Sequence, residues 1–126
     1  MSSEEGLFAM KDIKSEQDLL AAIEQHGVVT VPSGTIRDIF GHGRLAVHVR
    51  LAISDHLDKM GLAHYPDEFP GNQYTFVRIV RTGSDIDKVI QAASNPSPKN
   101  DNVLIDASTA AQKLAALKEA IGNKLK

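Results

Sequence analysis

Every arginine in the chain, at positions 37, 44, 50, 78 and 81, falls between Ser33 and Thr82, together with His42, His48, His56 and His64. Arginine carries a rigid fork of donors that suits phosphates and base edges, so contact with nucleic acid is the chemistry this window offers first. The histidines stand six, eight and eight residues apart. Metal ligands sharing a helix face recur at three or four, and neither H-x-x-x-H nor H-E-x-x-H occurs, so no metal site is expected. The chain has no cysteine, which removes disulfides, thiolate zinc sites and a cysteine nucleophile. Its serines, histidines and aspartates form no recognisable nucleophile–base–orienter motif. Gly41-His42-Gly43 lacks the third glycine and the preceding strand of a phosphate loop. Neither enzymatic activity nor a cofactor is expected.

The elements that must position these residues follow from periodicity and punctuation. Ser15 with Asp18 is an imperfect capping box before a helix over 16–26, and Gly27 stops it. Val28 to Val31 is a β-branched run closed by Pro32, which predicts a strand. Ser33-Gly34-Thr35 opens a second helix, Thr35 to Phe40, ended at Gly41-His42-Gly43. Arg44 to Met60 has the strongest helical pattern, with Leu45, Val49, Ala52, Ile53, Leu57 and Met60 on one face. Leu62 to Tyr65 and Tyr74 to Arg81 read as strands flanking the turn-rich stretch 66–73. A short helix follows Ser84. Residues 94–106 read as a loop or linker, with a small strand at Val103-Leu104-Ile105, and 107–126 as a final helix.

This order resembles the winged helix-turn-helix superfamily over about 15–82. The resemblance rests on Thr35 to Phe40, the glycine turn, Arg44 to Met60 and the two strands around 66–73. It implies an α+β fold: a winged helix-turn-helix domain over 15–93 after an N-terminal arm (1–14), with additional C-terminal helices. Arg44–Met60 would be the recognition helix in a major groove and 66–73 the wing. The expected function is a DNA-binding protein, a small transcriptional regulator or a plasmid- or phage-type accessory factor, with double-stranded DNA as partner. On the outward face, Arg44 and His48 would meet base edges, and Val47 and Leu51 thymine methyls. Ser33, Thr35, Arg37 and Arg78 would hold phosphates, Ser33 and Thr35 through hydroxyls and free helix-start amides. His42, Asn72 and Gln73 complete the expected interface. His56, near the centre of the apolar face, is expected to be a hydrogen-bonded core residue.

The alternative is a protein–protein interaction module on the same scaffold. Val47 and Leu51 form an apolar pair on a polar face, as a packing partner would require, and Asp67-Glu68 make the wing acidic where DNA-touching wings are basic. Charge permits either reading. Residues 1–32 hold two basic against six acidic residues, 33–82 six against five, and 83–126 six against five, for a net −2. Leu114, Leu117 and Ile121 share a face of the last helix and mark a candidate homodimer contact.

At 126 residues, 42% hydrophobic and 24% charged, the chain matches ordinary globular usage. No apolar run approaches the ~20 residues of a membrane span, so no membrane association is expected. Met1-Ser2-Ser3-Glu4-Glu5 lacks the basic start of a signal peptide, and the expected setting is cytoplasmic.

Overall fold

The structure, a computed structural model, describes the backbone of residues 13–124 and the side chains of residues 13–120. It is an α+β protein whose chain divides between Ser84 and Asp85 into two compact units.

The first unit begins with α1, Glu16–His26. Ser15 caps it by accepting from the Asp18 amide at 3.1 Å, and Asp18 answers by accepting from the Lys14 amide at 3.0 Å. Gly27 ends it with φ at 80°, a backbone conformation that only glycine adopts without strain. Then come β1 (Val28–Pro32), α2 (Ser33–Ile39), α3 (Val47–Lys59), β2 (Leu62–Tyr65) and β3 (Phe76–Arg81). The strands form one antiparallel sheet in the order β1-β3-β2. In the β1–β3 pair, Val29 stands opposite Ile79 and Val31 opposite Val77, and all four are buried. Leu19 and Ile23 of α1, Ile36 of α2 and Val49, Ile53 and Leu57 of α3 close over them to form the core. This element order and sheet are compatible with the winged-helix expectation.

Several boundaries differ from the sequence reading. The long helix starts at Val47, because residues 44–46 are not helical; Ala46 is extended at φ −66°, ψ 161°. No side chain is present to cap a helix at Gly43, and the non-helical path leaves Leu45 packed on the core. Arg44 therefore lies on the connection into α3 and not in its first turn. Its predecessor α2 starts two residues early, at Ser33, directly after Pro32. Tyr74 belongs to a turn, since its amide and that of Thr75 bond to Asn72, and β3 begins only at Phe76.

His56 is not a core residue. It lies at the surface, its ring stacked on Phe40 with centroids 4.3 Å apart and its Nε2 3.0 Å from Glu16 Oε1. Ala52 is exposed as well. The buried stripe of α3 is narrower than the periodicity suggested, because only Val49, Ile53 and Leu57, four residues apart, meet the sheet side.

The second unit pairs α4 (Asp85–Ser94) with α5 (Pro98–Lys124). The stretch expected as a loop over 94–106 is loop only at 95–97, and Val103-Leu104-Ile105 is helical. Proline is tolerated in the first turn of a helix because no amide is needed there. Ser97 supplies the cap by accepting from the Asn100 amide at 3.0 Å, and Asn100 Nδ2 donates back to the Asn95 carbonyl at 2.6 Å. Two prolines among polar residues therefore mark a helix start.

Candidate functional site

Beside its buried stripe, α3 carries a second stripe. Val47, Arg50, Leu51 and Ser54 follow the i, i+3, i+4, i+7 rule and so share one side of the helix. Val47 is 64% exposed and Leu51 67%, while Arg50 and Ser54 are half-buried beneath the β2–β3 connection. That connection, residues 66–75, folds beside α3 and leaves a cleft of about 500 Å³ lined by the stripe together with Asp67, Glu68 and Phe69.

Three contacts hold the connection in place along α3. Phe69 is 2% exposed and meets the His64 ring edge-on, with centroids 5.4 Å apart. His64 Nδ1 donates to the Pro66 carbonyl at 2.9 Å, so in the neutral ring Nε2 is left to accept from the Ser54 hydroxyl at 2.5 Å. The Phe69 carbonyl accepts from Arg50 Nη1 at 3.4 Å, a long and weak bond. Gly71 lies against the guanidinium, where an added Cβ would stand 3.5 Å from Cζ. Arg50 Nε is buried and has no hydrogen-bond partner among the described residues. Asp67 and Glu68 are exposed at the rim, giving the cleft two carboxylates against one guanidinium.

The eleven residues expected at a DNA interface separate into distinct places. Val47 and Leu51 line the cleft, with His48 exposed beside them and Arg44 exposed on the connection before α3. Arg78 is exposed on β3, opposite Thr30 and Tyr65. Ser33, Arg37, Asn72 and Gln73 form a knot that ties the connection to α2. Ser33 is fully buried and its Oγ donates to the Asn72 carbonyl at 2.6 Å. Arg37 Nη1 donates to Gln73 Oε1 at 2.7 Å, and its remaining nitrogens engage Asp38 at 3.0–3.1 Å.

The start of α2 is equally committed. The Ser33 amide donates to the Thr75 carbonyl and the Gly34 amide to that of Gln73. The expected phosphate grip by Ser33 and the helix-start amides is therefore corrected for Ser33 and Gly34: the Ser33 hydroxyl and both amides are spent inside the fold. Thr35 is half-exposed in a separate hollow beside Lys14 and Asp38. His42 is half-buried, its amide bonded to the Arg37 carbonyl.

Arg50, Ser54, Phe69 and His64 had no place in the expected site. Their signal was present, since 47, 50, 51 and 54 are a helical stripe in their own right, hidden by the stronger periodicity of the core face.

In the second unit, Leu114 and Leu117 of the expected dimer contact are 52% and 57% exposed, and the Ile121 side chain lies outside the described residues. Among the described residues, no group of three or more histidine, aspartate or glutamate side chains is placed to hold a metal ion, and no helix is long and apolar enough to cross a membrane. No protein-family model, curated protein or solved structure matches the chain.

Proposed function

We propose that the chain is a protein-interaction module on a winged-helix-like scaffold, and that it docks a partner's segment along the outward stripe of α3. The observation that carries this reading is the exposure of Val47 and Leu51 side by side at the mouth of an acid-rimmed cleft. Apolar side chains exposed singly mean little, whereas an exposed pair over a concave surface marks a place where another molecule packs. Asp67 and Glu68 select the partner by charge: a segment with apolar residues flanked by Lys or Arg.

The same pair of acids works against a DNA duplex, which the wing of a DNA-binding winged helix approaches with positive charge. With Ser33, Arg37 and Gln73 engaged inside the fold, phosphate-holding groups on the α2 side are few. DNA remains the second reading because Arg44, on the connection just before α3, and His48, in its first turn, are both exposed.

Fluorescence anisotropy separates the two readings. A labelled lysine-flanked leucine peptide should bind, and its glutamate-flanked counterpart should bind at least about tenfold more weakly. Leu51→Glu should abolish binding of the first. A short random-sequence duplex should show no saturable binding at low salt. Saturable duplex binding that weakens steeply with salt and is lost in Arg44→Ala would replace the docking reading by the DNA reading.

A further inference from the structure

The long helix of the second unit is covered over only part of its length. α4 has 10 residues and α5 has 27, a difference of about 25 Å along the axis. Asn100, Val103, Leu104 and Ala107 of α5 are half-buried, and every residue from 108 to 120 is exposed. A helical stretch of that length without tertiary packing is marginal in water, so a partner stabilises it. Leu114 and Leu117 share one face of this stretch, and both are exposed. Lys113 and Lys118 stand about 70° to either side of that face, while Glu119 points away from it. The uncovered half of α5 is thus a pair of leucines bracketed by lysines.

That is the chemistry the acid-rimmed cleft on α3 selects. Resting on the docking reading, we propose that the segment docked there is residues 113–118 of a second copy of this chain. Leu114 and Leu117 of one copy pack on Val47 and Leu51 of the other, helix against helix. The lysines face Asp67 and Glu68 at the rim and Asp58, which is exposed one turn beyond Ser54 on α3. Neither lysine and none of these three acids is in an ion pair among the described residues. All four apolar side chains are exposed in the single chain, so a second copy gives each surface the cover it lacks. Pairing two α5 helices in parallel through their leucines is disfavoured by charge, because it sets Lys113 of one copy against Lys118 of the other.

Sedimentation velocity of the full chain over a concentration series is the measurement. The mass of the parent should rise above that of one chain, and Leu51→Glu and Leu114→Glu should each weaken association at least about tenfold. Charge exchange then identifies the two surfaces. A cleft variant, Asp67→Lys with Glu68→Lys, and a helix variant, Lys113→Glu with Lys118→Glu, should each self-associate at least about tenfold more weakly than the parent. Mixed, the two variants should associate as well as the parent does, because every cleft again meets a helix of opposite charge. All the substituted positions are exposed, so the variants keep the fold and change only the contact. Undiminished self-association of the cleft variant together with loss in Leu114→Glu would overturn the proposal in favour of α5 pairing with α5. A parent that stays monomeric at every concentration would also overturn it. If that monomer still binds the lysine-flanked leucine peptide, the docking reading stands with another protein as occupant; if it binds no peptide either, both fall.

Discussion

The hydroxyl of Ser33 donates to the backbone carbonyl of Asn72 at 2.6 Å, joining the first residue of α2 to the middle of the β2–β3 connection across 39 positions of sequence. Both residues looked like surface contacts for DNA in the sequence, and both are part of the scaffold. Ser33→Ala removes the donor to the Asn72 carbonyl, and losing such a part-buried bond costs about 0.5–1.5 kcal/mol. Urea unfolding of the variant should show that loss in the midpoint with little change in slope. A variant as stable as the parent would mean that the bond contributes nothing to the fold.

Gly34 sits beside this bond with no room to spare. A Cβ there would come within 3.1 Å of both the Gln73 Cβ and the Gln73 carbonyl oxygen. Gly34→Ala should destabilise by about 1–3 kcal/mol through overpacking, even though alanine favours helices. Its melting temperature is the measurement, and an increase would show that the connection yields easily.

Leu51 and Leu57 lie on different faces of α3 and should respond differently. Leu57 is fully buried, so Leu57→Ala should cost about 2–5 kcal/mol. Leu51 is 67% exposed, so Leu51→Ser should stay within about 0.5 kcal/mol of the parent while weakening peptide binding. Thermal melts of the two variants, set beside the anisotropy assay, check the division between core and docking face.

His56 and Glu16 bind α3 to α1 at the surface. The pair is half-exposed on both sides, so Glu16→Gln should change stability by no more than about 1 kcal/mol. His56→Ala also removes the ring stacked on Phe40, worth about a further 0.5–1.5 kcal/mol. A double-mutant cycle in chemical denaturation separates the two contributions; a coupling above about 3 kcal/mol would signal a buried pair instead.

Ser97 should matter to the second unit alone. It is the side-chain cap of α5, and Ser97→Ala should cost about 0.5–2 kcal/mol of helix stability. The loss should appear as faster amide exchange over the first turns of α5, with the sheet amides unchanged.

Order and type of the elements from α1 to α4 were readable because they depend on local signals. The β-branched run at 28–31, the Ser15 and Gly27 caps and the spacing of Val49, Ile53 and Leu57 each act within a few residues. What was not readable depends on distant partners. Ser33 looks like a free hydroxyl until residues 72–75 return to cover it. His56 falls on the apolar side of a wheel, but its burial depends on whether an element lies over it, and there the ring meets Phe40 and Glu16 at the edge of the core. The start of α5 was misread for a local reason, since Pro98 after Ser97 is as much a helix opening as a loop signal. At the candidate site Val47 and Leu51 were identified from their outward position, whereas Arg50 needed the fold of the 66–75 connection to become a floor residue.

That connection is anchored from two sides, by Ser33, Gly34 and Arg37 of α2 and by Arg50 of α3, with Ser54 of α3 reaching it through His64. Ordering a free loop on contact with a ligand costs about 1–2 kcal/mol for each residue fixed. Here the ordering is complete once the domain has folded, so a segment docking as proposed would meet a pre-ordered receptor and forfeit mainly its own freedom. Association at this cleft should therefore carry a small entropic penalty on the receptor side, and affinity differences between ligands should reside in their dissociation rates.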